Sequence, residues 1–295
     1  MAEFIHLNGQ LTAYEDAHVA AADAGLLHGA GLFETMRAKG GKIFRLGRHL
    51  DRLTRSAKAL SIPFSLGEVE LAEIAEELLD ANDLTDARLR LTVTRGDLHA
   101  ATAEDPVPPV TLMVSAAAFH AYPAELYEKG MTVVVSAAKQ NPENPLTGHK
   151  TTSYFDRLVA LREAQQLKAG EALWFTAGTN YLAEGSISNV FIVDKEGVLA
   201  TPPLYVPGKT NQRLCLPGIT REAVLQGARE AGILPHERML TIEDVLGARE
   251  VFLTNAIMGV MPVTHVEKHQ VGAGTPGSLT TQLRAACELQ LQSEC

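Results

Sequence analysis

The stretch 145-PLTGHKTTSYFDRL-158 sets one lysine, Lys150, between a Pro/Gly-rich turn and the first residues of a helix. Its immediate neighbours are glycine, histidine, threonine and serine, with no acid beside it along the chain. A lysine in so compact a turn is either solvated or carries a covalent bond, and an arbitrary lysine is usually solvated. The surrounding pattern has to decide. Upstream, "MTVVVSAA" (131–138) reads as a strand. Downstream come a helix in "FDRLVALREAQQL" (155–167), then strands in "EALWFT" (171–176) and "SNVFIVD" (188–194). A helix in "ITREAVLQGAREAG" (219–232), a strand in "EVFLTN" (250–255) and a helix in "SLTTQLRAACELQLQ" (278–292) complete a mixed lobe.

The first part of the chain has a different texture. "EFIHLNGQLTAY" (3–14) alternates around Asn8-Gly9, a strong two-residue hairpin signal, and "LFETMRAKGGKIFRL" (32–46) repeats the design around Gly40-Gly41. In the latter, Phe33, Thr35 and Arg37 share one face. Two helices follow, "GRHLDRLTRSAKAL" (47–60), with an apolar stripe of Leu50, Leu53, Ala57 and Leu60, and "LGEVELAEIAEELLDAN" (66–82). "ARLRLTVTRG" (87–96) and "PVTLMVSAAAF" (109–119) read as strands, the second apolar enough to be buried on both faces. The pattern weakens near "FHAYPAELYEKG" (119–130). The expectation is two α+β lobes, a smaller one over 1–119 and a larger one over 120–295.

Composition narrows the function. The chain has 295 residues, 46% of them hydrophobic, enough for a sizeable core. A net charge of −9 disfavours nucleic acid and anionic membranes as partners, while leaving room for a local basic cleft. There is no 18-residue apolar run, and "MAEFIHLNGQ" lacks the layout of a signal peptide. Three cysteines, Cys215, Cys287 and Cys295, have no metal-type spacing. These features fit a cytoplasmic protein.

Three further features acquire meaning beside Lys150. "LAEGSISNVFIV" (182–193) offers one carboxylate, Glu184, followed by small and hydroxyl residues that can hold it in a tight turn. "LPGITRE" (216–222) leads through Pro217-Gly218 into a helix start, a ready anion site with Thr220 beside it. Arg52 lies on a helix next to apolar positions. Each has an ordinary use when taken alone: an exposed turn glutamate, a threonine cap, a snorkelling arginine. Together they are the parts pyridoxal 5'-phosphate requires: an amine for the aldehyde, an acid for the ring nitrogen, and an arginine with backbone donors for the phosphate.

In this order, "GLFETMR", "HLDRL", "GHKTTSYF", "LAEGSISNVFIV", "LPGITRE" and "VFLTNAIMGVMPV" resemble the class IV aminotransferase family of pyridoxal-phosphate enzymes. That family includes branched-chain and D-amino-acid transaminases and aminodeoxychorismate lyase. The resemblance covers about residues 5–265. It implies the two-lobed type IV fold, with the cofactor at the interface of the lobes, and a homodimer. Carried over, it makes Lys150 the Schiff-base lysine and proton-transferring base, with a lowered amine pKa. Glu184 becomes the ring-nitrogen partner, and Arg52, Ile219 and Thr220 the phosphate ligands. The threonine phosphate ligand of branched-chain enzymes is matched by Ala256, which passes the role to Thr254 or Asn255 or leaves it unfilled. Their tyrosine after the lysine is matched by Phe155, with Tyr154 one place earlier.

The substrate pocket implied is His28, Phe33, Thr35, Arg37, Arg90 and Arg95. "LTNAIMGVMPV" (253–263), and Thr35 where branched-chain enzymes have glycine, resemble the lyase more than the transaminases. The expected reaction is therefore pyruvate elimination from aminodeoxychorismate to give 4-aminobenzoate. An amino-acid transaminase using 2-oxoglutarate or pyruvate is the alternative, and a non-catalytic cofactor carrier a remote third.

Overall fold

The computed structural model describes residues 3–100 and 109–295. Contacts group Met1–His120, His149–Ser153 and Leu291–Cys295 into one unit, and Ala121–Gly148 with Tyr154–Gln290 into another. Lys150, expected within the 120–295 lobe, thus packs with the first unit.

The first unit contains β1 (Phe4–Leu7), β2 (Gln10–Ala13), α1 (Ala24–His28), β3 (Gly31–Lys39), β4 (Lys42–Ile43), α2 (Leu46–Ala59), α3 (Glu68–Ala81), β5 (Ala87–Thr94) and β6 (Thr111–Ala118). Its antiparallel sheet runs β2-β1-β6-β5-β3-β4. Both hairpins close as their sequences demand: φ is +50° and +86° at Asn8 and Gly9, +56° and +82° at Gly40 and Gly41. These are the left-handed values of tight hairpin turns, which Asn and Gly adopt at little steric cost. One face of the sheet (Leu32, Met36, Leu89, Leu91, Val114) forms a core with Leu50, Leu53, Leu71 and Leu78 of α2 and α3. β6 departs from expectation: only Val114 and Ala116 are buried, because an antiparallel strand alternates its faces and only one meets the helices.

The second unit contains α4 (Ala124–Lys129), β7 (Met131–Gln140), α5 (Phe155–Gln166), β8 (Glu171–Thr176), β9 (Leu182–Gly185), β10 (Asn189–Val193), β11 (Leu199–Thr201), α6 (Ile219–Glu230), β12 (His236–Glu237), α7 (Ile242–Leu246), β13 (Glu250–Asn255), β14 (Gly259–Val266), β15 (His269–Gln270) and most of α8 (Ser278–Glu294). Its mixed sheet runs β12-β11-β10-β13-β14-β7-β8-β9, with β15 beside β14. Every residue of β8 and β10 is buried, the polar Glu171, Thr176 and Asn189 included. Phe191 and Phe252 stack at 4.9 Å between centroids in the same sheet. No helix among the described residues is long and apolar enough to cross a membrane.

Candidate active site

Lys150 is placed by β3. Because β4 pairs only with Ala38 and Lys39, the opposite end of that β3 edge is open. Residues 150–152 fill it: Phe33 N donates to Lys150 O (2.8 Å), Thr152 N to Gly31 O (2.9 Å), and Thr151 bridges Leu32. The Lys150 amine stands 4.5 Å from the Phe33 ring centroid, and the Arg90 guanidinium 3.9 Å from the same centroid. Thr35 faces Arg90 across the β3–β5 register. Phe33 thus lies against both the lysine and Arg90, with Thr35 opposite Arg90 in the sheet.

Three other expected pocket residues have different engagements. Arg37 is buried, donating to Ala38 O and to Asp86 while lying over Phe119. Arg95 donates to Ser61 O, and His28 is exposed at the end of α1, where Gly29 takes φ +64°.

Arg52 is more constrained than its sequence setting implied. It is buried and forked onto Glu34, Nε to Oε1 (2.8 Å) and Nη2 to Oε2 (2.5 Å), while His49 Nδ1 lies 2.8 Å from the same Oε2. Burial alone would raise the Glu34 pKa. The Arg52 charge and the hydrogen bonds from His49 and Arg52 outweigh it and hold the carboxyl at about 2. His49 is pushed below its usual range, chiefly by burial. Glu34 and His49 escaped the sequence reading. The available signal was a carboxylate at an inward position of β3, opposite two polar residues spaced i,i+3 on the buried side of α2.

In the second unit Glu184, on β9, is buried. Arg157 Nη2 donates to its Oε1 (2.8 Å) and Leu216 N to its Oε2 (2.8 Å). The following turn is anchored by Glu171, a buried carboxylate that sequence reading also missed. Its oxygens accept from Ala172 N (3.0 Å), Ser186 N (2.9 Å), Ile187 N (3.3 Å) and Ser188 Oγ (3.1 Å). Burial pushes its pKa up despite those donors. Of the two candidates for the missing tyrosine, Phe155 is 78% exposed, whereas Tyr154 turns inward and donates to Ser186 O (2.7 Å). Burial raises the Tyr154 pKa far enough to keep it a proton donor.

α6 opens on Gly218, which supplies no side-chain cap to its first N–H groups. A Cβ at 218 would come within 2.0 Å of Asn189 Oδ1, so glycine is needed for the close approach. Ile219 and Thr220 follow, both buried. Thr254 pairs with Asn189 in the β10–β13 register, which puts both side chains on the face that receives this turn. The Thr254 hydroxyl is buried and has no partner among the described residues. Asn255 is fully used locally: its Oδ1 accepts from Ile257 N and Met258 N, and its Nδ2 donates to Ile187 O.

The family pattern described as Amino-transferase class IV matches residues 31–266. A provisionally described branched-chain-amino-acid aminotransferase of Methanocaldococcus jannaschii is 34% identical, covering 95% of this chain and 93% of its own. The D-alanine aminotransferase of Bacillus licheniformis is 32% identical, covering 97% and 96%. A crystal structure of the T.th. branched-chain amino acid aminotransferase with pyridoxamine 5'-phosphate superposes with a TM-score of 0.89 at 28% identity, covering 100% of this chain and 96% of that one. A Legionella pneumophila structure provisionally described as a 4-amino-4-deoxychorismate lyase shares the fold at 22% identity, covering 94% and 97%, with a TM-score of 0.81. These matches favour the transaminase alternative over the lyase first expected. The chain belongs to the class IV aminotransferases, enzymes of the type IV fold that work with pyridoxal 5'-phosphate.

Proposed function

We propose that the chain moves the amino group of an amino acid to a 2-oxo acid, with Lys150 as its catalytic residue. The observation that carries this reading is the Lys150 amine over the Phe33 ring, which the Arg90 guanidinium also approaches: a base and a cation that share one apolar wall. Such a wall suits an amino-acid side chain and a carboxylate together. Full-length likeness to branched-chain and D-alanine aminotransferases supports transfer over elimination.

The residues present fit the cofactor. The orphaned Thr254 hydroxyl and the uncapped start of α6 are what a bound phosphate would complete, and anions are stabilised at helix starts. In the proposal Ile219 and Thr220 donate to that phosphate with Thr254, while Asn255 holds the adjoining turn. Arg52, fixed by Glu34, adds its charge. Glu184 accepts from the ring nitrogen. When bound, pyridoxal phosphate supplies an electron-withdrawing ring that lowers the cost of negative charge next to the substrate nitrogen. Lys150 Nζ would hold the cofactor covalently at rest and, when its amine is free, would carry a proton from the amine-bearing carbon of the substrate to the cofactor carbon across the shared nitrogen.

The test is the visible absorption of the holoprotein, mixed with single amino acids and no oxo acid. Loss of the yellow band with a branched-chain L-amino acid or with D-alanine is the expected result, and the donor that works names the substrate class. No change with any L- or D-amino acid, together with release of 4-aminobenzoate from aminodeoxychorismate, would return the lyase to first place.

The functional state in this reading is a homodimer. Phe155, Leu158 and Val159 form an exposed apolar stripe at i,i+3,i+4 spacing on α5, the kind of surface a second copy covers. Sedimentation should give a dimer, and Phe155→Glu should shift it toward monomer. A parent protein sedimenting only as monomer would refute the assembly.

A further inference from the structure

We infer that Arg157 is a positioning residue for Glu184, holding the carboxylate in the orientation the ring nitrogen needs. The inference rests on the proposed role of Glu184.

Arg157 occupies the first turn of α5, where the helix dipole favours acids such as its neighbour Asp156 and disfavours a cation. An arginine there would ordinarily turn out to solvent. Instead its side chain is only 15% exposed, and its guanidinium lies 4.3 Å from the Trp174 ring centroid. Nη1 donates to Gly185 O (3.0 Å), and Nη2 donates both to Glu184 Oε1 (2.8 Å) and to Gln140 Oε1. One planar group thus reads the carboxylate and the backbone carbonyl of the next residue together.

The remaining contacts close a ring. Gln140 Nε2 donates to Leu214 O, and Leu216 N donates to Glu184 Oε2. Each Glu184 oxygen is therefore tied from a different direction, by α5 on one side and by the segment that runs into α6 on the other. Trp174 is itself fixed, its Nε1 donating to Ser186 Oγ (3.0 Å). A carboxylate so held can accept one more hydrogen bond without reorganising, which is how supporting partners sharpen a binding group. Lysine cannot substitute, because an ammonium lacks the rigid fork that meets Glu184 and Gly185 O at once.

The test uses the whole protein and three variants, Arg157→Met, Arg157→Lys and Glu184→Gln. Two properties are measured: the dissociation constant for pyridoxal phosphate, and the pH dependence of the cofactor's visible band. Trp174, the single tryptophan of the chain, gives a fluorescence signal for the first. We expect Arg157→Met to weaken cofactor binding at least tenfold and to displace the pH at which the band changes, with Arg157→Lys at least threefold weaker than the parent. Glu184→Gln should also weaken binding and move the band.

If Glu184→Gln has these effects while Arg157→Met matches the parent within twofold and with an unmoved band, the inference is overturned and the Glu184 role stands. If neither variant changes either property, the Glu184 role itself fails and the inference falls with it. Should Arg157→Met not fold, Arg157→Lys decides, and parity with the parent overturns the proposal.

Discussion

Lys150→Ala is expected to abolish amino transfer, lowering turnover by at least about 10³-fold. The yellow band of covalently held cofactor should vanish, while the melting temperature stays close to that of the parent. The loss would be chemical, because the substitution removes the amine that this end of β3 presents. The fold should survive because Lys150 is held through its backbone. The bonds from Phe33 N to Lys150 O and from Thr152 N to Gly31 O, the Thr152 Oγ1 bond to Gly29 O (2.8 Å) and the His149–Ser56 contact (2.9 Å) do not involve the Lys150 side chain. Single-turnover absorbance and thermal unfolding of the same preparation separate the two effects. A variant with parental turnover would sink the proposed mechanism.

The second large effect concerns stability. Glu34→Ala leaves Arg52 and His49 buried without their shared carboxylate, and breaking a buried pair from one side typically costs about 3–5 kcal/mol. Urea unfolding should show a lower midpoint with an unchanged slope. The triad also predicts a pH dependence. Glu34 titrates at about 2 in the fold against 4.5 as its ordinary value, so its contribution is complete above pH 4.5 and is lost as pH falls toward 2. His49 acts in the same sense. Burial suppresses its protonation in the fold, so below 6.5 the unfolded chain binds the extra proton and stability drops. Melting temperatures of the parent should therefore fall steadily on acidification. In Glu34→Ala the segment between pH 4.5 and 2 should flatten. A parental slope there would show that the carboxylate is not the titrating group.

Much of this was legible in the sequence because the informative patterns were local. Asn8-Gly9 and Gly40-Gly41 announced their hairpins, the Leu50–Leu53–Ala57 stripe announced α2, and the ordered blocks pointed to the family. What escaped depended on pairs distant in sequence. Glu34 meets His49 and Arg52, and Glu184 meets Arg157, only after β3, α2, α5 and β9 have formed. Arg37 looked available because its alternation matched Phe33 and Thr35, yet Asp86 and Phe119 claim its guanidinium. The preference for the lyase rested on one short block and on Thr35, whereas the aminotransferase relatives match almost the whole chain.

The pairing of residues 150–152 with β3 has a consequence for how such an enzyme can diverge. The position of Lys150 is written in the sheet, not in the loop that delivers it. Residues 141–148 can lengthen, shorten or change composition, and the chain will still re-enter at the same open edge as long as Gly31 and Phe33 offer the same backbone partners. Natural variation can therefore reshape the approach to the lysine while the lysine itself stays in register, separating changes in selectivity from changes in chemistry.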